Sequence, residues 1–474
     1  MSAPQRIAIC GAGISGLTLA GILSRGRPGA LVQVFERASH DRDQGYGLDL
    51  DEHGQEALVL AGCYDKYWSI ARPKSDSMAF WHPSAQHPDA EPFALMYTPR
   101  WLKKWNPGGN FADRPECNRE ALRDILLMAI SERPNTSVKY NVAVGDIRCT
   151  DDQKAEVYDR DENSLGTFDL IVDATGLHSP LRHHVVHDSQ GKHYEGFVTF
   201  HGMLANPEET FPPEMMKRFS PYGTAGVLGK GYMLFFQRYG AGSDNRTAAF
   251  YNVPHPTGED AIFDELGIKK PTNRESGIMR DPERLDKIKQ WIKNDMGNRI
   301  DEIWKQGVDS LERITVRGSM THGDTILRND RSLPIVCIGD SLRNCGLGGG
   351  GMLAMQDANE LGKAIIESSG GIDIDEIMKP MLERKKEHME EKERRNAHFF
   401  KRDDSDASID LEWQDVREVY SLPAYIGMRI FGPILTGIAK RGFAADLARG
   451  ELGAIPEHPL VYATVKACLD EKPM

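Results

Sequence analysis

Arg6-Ile7-Ala8-Ile9-Cys10-Gly11-Ala12-Gly13-Ile14-Ser15-Gly16, continued by Leu17, Leu19, Ala20 and Leu23, decides the fold. The apolar run ending at Cys10 has the length of a buried parallel strand, and the spacing after Gly16 is that of a packed helix. Leu31-Val32-Gln33-Val34-Phe35 reads as a second strand and ends on Glu36 and Arg37. Strand, glycine turn, helix, strand and acid form the unit that holds the pyrophosphate and ribose of a dinucleotide. Gly11 permits the tight turn. Gly13 lets the backbone approach the phosphates with no β-carbon in the way, and Gly16 lets the helix lie close on the sheet. The helix N-terminus offers free N–H groups and a partial positive charge to the anion. Glu36 stands where a carboxylate accepts hydrogen bonds from ribose hydroxyls.

The 474 residues are enough for two or three domains. The net charge of −12, without a basic stripe, argues against nucleic acid as a partner. No run of about 18 apolar residues is present, so no transmembrane helix is expected. The chain enters its first strand at once, which leaves no room for a leader peptide. Seven cysteines without a CxxC pair fit a reducing compartment, and a cytoplasmic enzyme is the expectation. No metal site is expected. His183 and His187 have the spacing to share a helix face, but no carboxylate or cysteine stands at ligand spacing.

Further along, Gly45 to Leu50 leads into a helical pattern closed by Gly62. From Arg72 to about Asn110 the texture changes to short strands such as Ser77–Trp81 and Phe93–Tyr97. Asn118 is an expected N-cap for an amphipathic helix that starts at Arg119. Phe168 to Asp173 is another buried strand, running into Ala174-Thr175-Gly176. Residues 190 to 320 are strand-rich, with helices expected over Arg284–Met296 and Arg299–Trp304. Ser332 to Ile338 is one more buried strand, followed by Gly339-Asp340, the string Gly346 to Gly351 and a helix from Met352. The tail is mostly helical. Mixed charge over Met381–Arg402 reads as a solvated face. Ile426–Ala439 is too short to span a bilayer and reads as a domain-packing helix, with peripheral membrane contact left open.

Three motifs now stand in order: Gly11–Gly16 with Glu36, Asp169–Ser179, and Gly339-Asp340 with its glycine loop and helix. Together they resemble the FAD-dependent class A monooxygenases, the p-hydroxybenzoate hydroxylase-like group, from the N-terminus to about residue 370. The resemblance implies an α/β fold: a Rossmann-like three-layer FAD-binding domain, a second substrate domain with a mostly antiparallel sheet, and a helical C-terminal region. The FAD-binding parts are then 1–71, 111–189 and 323–370, the substrate-domain parts 72–110 and 190–322, and the helical region 371–474. It implies FAD contacts from Gly11, Ala12, Gly13, Ile14, Ser15, Gly16, Glu36, Arg37, Gly47, Arg119, Thr175, Gly176, Gly339, Asp340, Gly349, Gly350, Gly351 and Met352. Glu36 is expected on the adenosine ribose, Arg119 on the ribityl or pyrophosphate region, and Asp340 on the ribityl hydroxyls. The backbone of Gly348 to Met352 is expected against the flavin pyrimidine edge, where a helix N-terminus stabilises the negative charge of reduced flavin.

The resemblance implies a reaction as well. NADPH or NADH reduces FAD, and dioxygen adds to give a flavin C4a-hydroperoxide. One oxygen atom then passes to a small substrate by hydroxylation or epoxidation. A dehydrogenase, oxidase or redox-neutral cyclase is the alternative, and a flavin-bearing interaction protein a further one. The chain departs from the family pattern in three places. Thr175-Gly176 replaces the usual Asp-Gly, Ser341-Leu342-Arg343 replaces Ala-Ala-His, and the flavin loop lacks its proline. The Gly349–Met352 string is closer to the squalene-epoxidase branch and favours an apolar, terpenoid or aromatic substrate. Phe200, Tyr232, Phe235, Phe236 and Tyr251 are candidates for lining the substrate pocket, against ordinary core packing. Arg343 and Asn344 are candidates for facing flavin or substrate.

Overall fold

The computed structural model describes residues 5–41, 47–71, 77–83, 91–105, 116–150, 154–188, 191–229, 231–239, 245–271, 279–328, 333–346, 349–368, 372–399 and 422–450. Gly45, Arg72, Asn110, Ser332, Gly348 and Arg402, all named above, lie outside this set.

The strand Arg6–Cys10 is buried on both faces from Ile7 onward, as its continuous apolar run inside a parallel sheet requires. It sits at the centre of a five-stranded parallel sheet in the order Ile335–Cys337, Leu170–Asp173, Arg6–Cys10, Leu31–Glu36, Thr136–Tyr140. The glycine helix Ile14–Gly26 packs with helices Glu52–Ala61, Arg119–Ser131 and Gly350–Glu367 into one apolar core over this sheet. A three-stranded antiparallel sheet of Val144–Cys149, Ala155–Asp159 and Ser164–Phe168 supplies the third layer, where Phe168 meets Phe35 edge-on at 6.0 Å. The expected α/β class with a Rossmann-like three-layer unit is borne out.

A separate seven-stranded sheet runs Arg313–His322, Lys192–Ala205, Arg246–Pro254, Tyr232–Tyr239, Thr224–Gly229, Met78–Trp81, Ala94–Met96. It is antiparallel except where Thr224–Gly229 meets Met78–Trp81. The period-2 alternation gives it two unlike faces. Val198, Phe200, Leu204, Tyr232, Leu234, Phe236 and Tyr251 form its own core with the helices Pro282–Met296 and Glu302–Asp309. The second of these starts three residues later than expected, because Asp301 caps it by accepting the Ile303 N–H at 3.1 Å.

One reading of the tail and one of the histidines need correction. The charged helix Ile374–Phe399 is not a solvated face throughout: Met378, Met381, Lys385, Met389 and Lys392 recur at helical spacing and are buried. Mixed charge masked this stripe because two of its members are lysines. Among the described residues no helix is long and apolar enough to cross a membrane. In the helix Leu422–Ala448, Ala439 and Phe443 join the second core, and Phe443 stacks on Tyr222 at 5.1 Å, as a packing helix does. His183 lies in a short 3-10 turn and His187 on a strand, so they share no helix face. His183 instead groups with His184 and Asp146, whose His184 Nε2–Asp146 Oδ1 distance is 3.1 Å.

Candidate active site

The carboxyl ends of four neighbouring parallel strands deliver Gly11, Glu36, Thr175 and Gly339 to one edge of the sheet, the edge where open α/β sheets bind ligands. The three glycines of the turn separate cleanly by environment. Gly11 has φ +110°, and a β-carbon there would lie 2.4 Å from the Ala174 carbonyl oxygen. At Gly16 it would lie 2.0 Å from the Gly11 carbonyl oxygen, so this glycine closes the turn onto itself as well as onto the sheet. At Gly13 a β-carbon would meet nothing within 4 Å, which leaves open space in front of the helix. Gly13 is also the N-cap, with no side-chain cap and no acid in the first turn, so the N–H groups that follow are available to an anion. The Ala12 N–H is not among them: it donates to Glu36 Oε2 at 2.8 Å, while Ala38 N–H donates to Oε1 at 2.8 Å. Glu36 is thereby fixed, and its remaining lone pairs are what a ribose hydroxyl would use.

The helix Gly350–Glu367 repeats this arrangement. Its N-cap Gly349 has φ +74°, no side-chain cap and no acid in the first turn. Leu48 packs so tightly on Gly351 that a β-carbon would lie 2.4 Å from Leu48 Cδ1. Gly47 pairs with Asn118, which caps the Arg119 helix through Glu120 N–H at 2.8 Å. Gly47, Arg119, Gly351 and Asp340 therefore converge. The Asp340 carboxylate accepts no hydrogen bond from the described residues, and burial raises its pKa against the pull of Lys385 and Arg119. An unfilled acceptor between two cations is suited to the hydroxyls of a sugar alcohol. Gly339 N–H, by contrast, is held by the buried Asp357 at 2.8 Å. Asp357 in turn pairs with Arg384 at 2.8 Å and Lys385 at 3.1 Å.

Sequence reasoning missed the contribution of the charged helix. Lys392, 1% exposed, pairs with Glu195 of the second sheet at 2.6 Å and donates to the Cys345 carbonyl. Ser319 donates to the other Glu195 oxygen. Gly346, with φ +67°, crosses this pair so closely that a β-carbon would lie 2.1 Å from Glu195 Oε2. The flavin-loop expectation rested on its glycines; here Lys392 also holds the segment before them, through the Cys345 carbonyl.

The second motif is held by Asp173, another residue that pattern reading passed over. Buried completely, it accepts from Thr175 N–H at 3.0 Å and Thr175 Oγ1 at 2.6 Å, and from the Ser179 hydroxyl. Burial raises its pKa in spite of these donors. Thr175 is thus turned inward, while Gly176, at φ +86°, faces open space. Asn344 is also committed: its Nδ2 donates to the Met320 carbonyl at 2.6 Å and its Oδ1 accepts from Gly346 N–H at 3.3 Å. It holds the loop, and the expectation that it faces flavin or substrate is corrected. Arg343 is buried nearby.

Four of the five substrate candidates are corrected too. Phe200, Tyr232, Phe236 and Tyr251 point into the packed core on the helix side of the second sheet, for the side-chain period of two puts them all on that face. Phe235 alone is on the opposite face, stacked on Phe250 at 4.7 Å, with His201 4.0 Å from Phe250. On this face Gln237 donates to Glu116 Oε2 at 2.8 Å, and Glu116 adjoins Gly47 of the cofactor edge. Phe236→Ala is expected to cost about 3–5 kcal/mol of unfolding free energy, as for a large buried aromatic. Phe235→Ala is expected to cost clearly less and to move ligand affinity instead. Paired denaturant melts and ligand titrations check the split.

No family model matches the chain. Two curated relatives are similar in sequence. FAD-dependent monooxygenase adaC of Aspergillus niger is 25% identical over 239 residues, covering 48% of this chain and 52% of that protein. Monooxygenase asqM of Emericella nidulans is 26% identical over 249 residues, covering 49% and 51%. The chain thus spans about half the length of the curated relatives it matches. Among solved structures, HpxO of Klebsiella pneumoniae, complexed with FAD and uric acid, superposes with a TM-score of 0.64 at 17% identity, covering 92% of this chain and 96% of that one. The 2,6-dihydroxypyridine-3-hydroxylase of Arthrobacter nicotinovorans gives 0.62 at 17% identity, covering 84% and 93%.

Proposed function

We propose that this chain, which has the fold of the FAD-containing monooxygenases, is an FAD-dependent monooxygenase that takes a small apolar or aromatic substrate and an external nicotinamide reductant. The observation that carries the reading is the pair of uncapped, acid-free helix N-termini, at Gly13 and Gly349, on the same edge as an unfilled Asp340 carboxylate. That set fits an elongated dinucleotide with an anion in its middle, polyol hydroxyls beyond it and a ring that becomes anionic at one end.

The residues divide the work accordingly. Glu36 orients the ribose and also locks the Gly11–Ala12 turn. N–H groups at the start of the helix Ile14–Gly26 hold the pyrophosphate. Asp340 and Arg119 hold the ribityl segment, and N–H groups at Gly350–Met352 receive charge at the pyrimidine edge. The bound flavin supplies hydride acceptance and oxygen activation. The wall of Phe235, Phe250 and His201 positions an apolar substrate beside it and excludes water, which keeps the reactive site dry. No acid–base side chain is assigned.

A phosphorylated nicotinamide nucleotide has a ready electrostatic landing place. His178 lies just after Gly176, and its pKa is lowered by burial and by Lys192, Arg37 and Arg317, with Lys192 Nζ 3.0 Å from His178 Nδ1. Such a cationic group on a chain of net charge −12 is a local exception. Arg317→Ala and Lys192→Ala are expected to raise the KM for NADPH severalfold and to leave FAD content unchanged. Steady-state kinetics at two salt concentrations checks this, because the loss is largest at low ionic strength. The whole reading is tested by following flavin bleaching with NADPH and with NADH across apolar, terpenoid and phenolic compounds. Substrate-stimulated, oxygen-reversible bleaching supports it; a bound flavin that no nicotinamide reduces under any of these conditions overturns it.

A further inference from the structure

Arg343 stands three residues after Asp340 and six before Gly349, within the segment that leads into the helix Gly350–Glu367. Its side chain is buried, with 6% of the residue exposed. Its Nε is fully enclosed and has no hydrogen-bond partner, and no ion pair joins its guanidinium to a described residue. An arginine side chain keeps its proton in a protein and so cannot relieve this by becoming neutral. An unpaired buried ion costs several kcal/mol. Several other cations nearby are matched by a carboxylate: Arg182 donates to Asp188 at 3.0 Å, Lys385 and Arg384 share Asp357, and Lys392 has Glu195.

Among the described residues, no charged group close to Arg343 repairs the deficit. His322 is pushed down to about 4 by burial and by Arg182, Lys192 and Arg343, with only Asp188 acting the other way. His322 is therefore neutral near pH 7, and its Nδ1 accepts the Asn344 N–H at 2.9 Å. Asp188 is already taken by Arg182 and by Thr325 Oγ1 at 2.7 Å. Asp340 draws on Lys385 and Arg119. Among the described residues the buried cation has no anion of its own.

We infer that Arg343 is a positioning residue for negative charge on the flavin ring itself, the fixed counter-charge to the ring in its reduced, deprotonated state. The inference rests on the FAD site proposed above. It assigns Arg343 to the ring end because Arg343 lies in the chain between Asp340, proposed for the ribityl segment, and Gly349, which opens the helix proposed for the pyrimidine edge. It also gives a physical reason for an arginine where the related pattern carries a histidine. A permanent cation favours the reduced ring at any pH, whereas a buried imidazole would be neutral in these surroundings, as His322 is.

The test uses the full chain loaded with FAD, without substrate, as wild type, Arg343→Met and Arg343→Lys. Each is equilibrated with a reference redox dye under anaerobic conditions. Arg343→Met is expected to shift the oxidised-to-reduced ratio at least tenfold toward oxidised flavin, about 30 mV for a two-electron couple. Arg343→Lys, which keeps the charge, is expected to stay within about threefold of wild type. In the FAD-free proteins, Arg343→Met is expected to melt higher than wild type, because it removes an unpaired buried ion. An unchanged ratio in Arg343→Met with normal FAD content overturns the inference, as does a FAD-free Arg343→Met that melts lower. Loss of binding confined to anionic substrates, with the ratio unchanged, also overturns it. Failure of the wild-type chain to bind FAD would be a different failure, that of the cofactor site; the FAD-free melts report on Arg343 in either case.

Discussion

Gly13→Asp is expected to abolish FAD retention without weakening the fold. The position has φ −77° and ψ −179°, an extended conformation open to any residue, and a β-carbon there meets nothing within 4 Å. It is also an N-cap, where aspartate is favoured over glycine by a few tenths of a kcal/mol. The same carboxylate would stand in the space assigned to the pyrophosphate and repel it. Affinity for FAD is expected to fall at least about 100-fold, at 1.4 kcal/mol per tenfold, while the melting temperature of the FAD-free protein stays level or rises slightly. Gly16→Ala is the contrasting case. Its methyl would sit 2.0 Å from a backbone oxygen, so stability and FAD content are expected to fall together. Flavin absorbance after gel filtration, with thermal melts of the FAD-free proteins, separates the two. Normal FAD content in Gly13→Asp would remove the pyrophosphate from this turn.

Lys392→Met is expected to cost about 3–5 kcal/mol in denaturant unfolding, the usual result of stranding one half of a buried ion pair. Its partner Glu195 is 7% exposed in its side chain and would keep only the Ser319 hydroxyl. Lys386→Ala, six residues earlier on the same helix, removes a 4.0 Å pair with Glu390 in which both side chains are more than half exposed, and is expected to change stability by less than about 0.5 kcal/mol. Because Lys392 also holds the Cys345 carbonyl, FAD affinity is expected to fall with it. Replacing both partners, Glu195→Met with Lys392→Met, is expected to recover most of the loss, since no lone buried charge then remains. Equal effects at Lys386 and Lys392 would return the helix to the solvated face that its composition suggests.

What was legible in the sequence was whatever local geometry alone enforces. The turn Gly11–Gly16 demands positive φ, close backbone contact and an open helix end within a few residues, so its pattern survives in the linear chain. The burial of the first strand and the N-cap at Asn118 are of the same kind. The substrate wall was less legible. Phe235 and Phe236 are adjacent and chemically identical, and only the registration of Tyr232–Tyr239 against Arg246–Pro254 sets one on the face with Phe250 and the other in the core. Asp357 read as an ordinary polar residue because Gly339, Arg384 and Lys385 lie on other elements, whereas the partners of Asp173, Thr175 and Ser179, are close in sequence and only its complete burial sets it apart. Lys385 and Lys392 were hidden for a further reason: a lysine counts as solvent-facing in any periodicity argument, and nothing local announces a buried carboxylate far away in the chain, as Glu195 is from Lys392.

The most direct test of the central claim is a crystal structure of the FAD-soaked protein. The expected density has the pyrophosphate on the N–H groups that follow Gly13, the ribityl chain on Asp340 and Arg119, and the pyrimidine edge of the ring against Gly350–Met352. Density for FAD elsewhere, or a ring lying away from the start of the helix Gly350–Glu367, would contradict the assignment of every residue to its role.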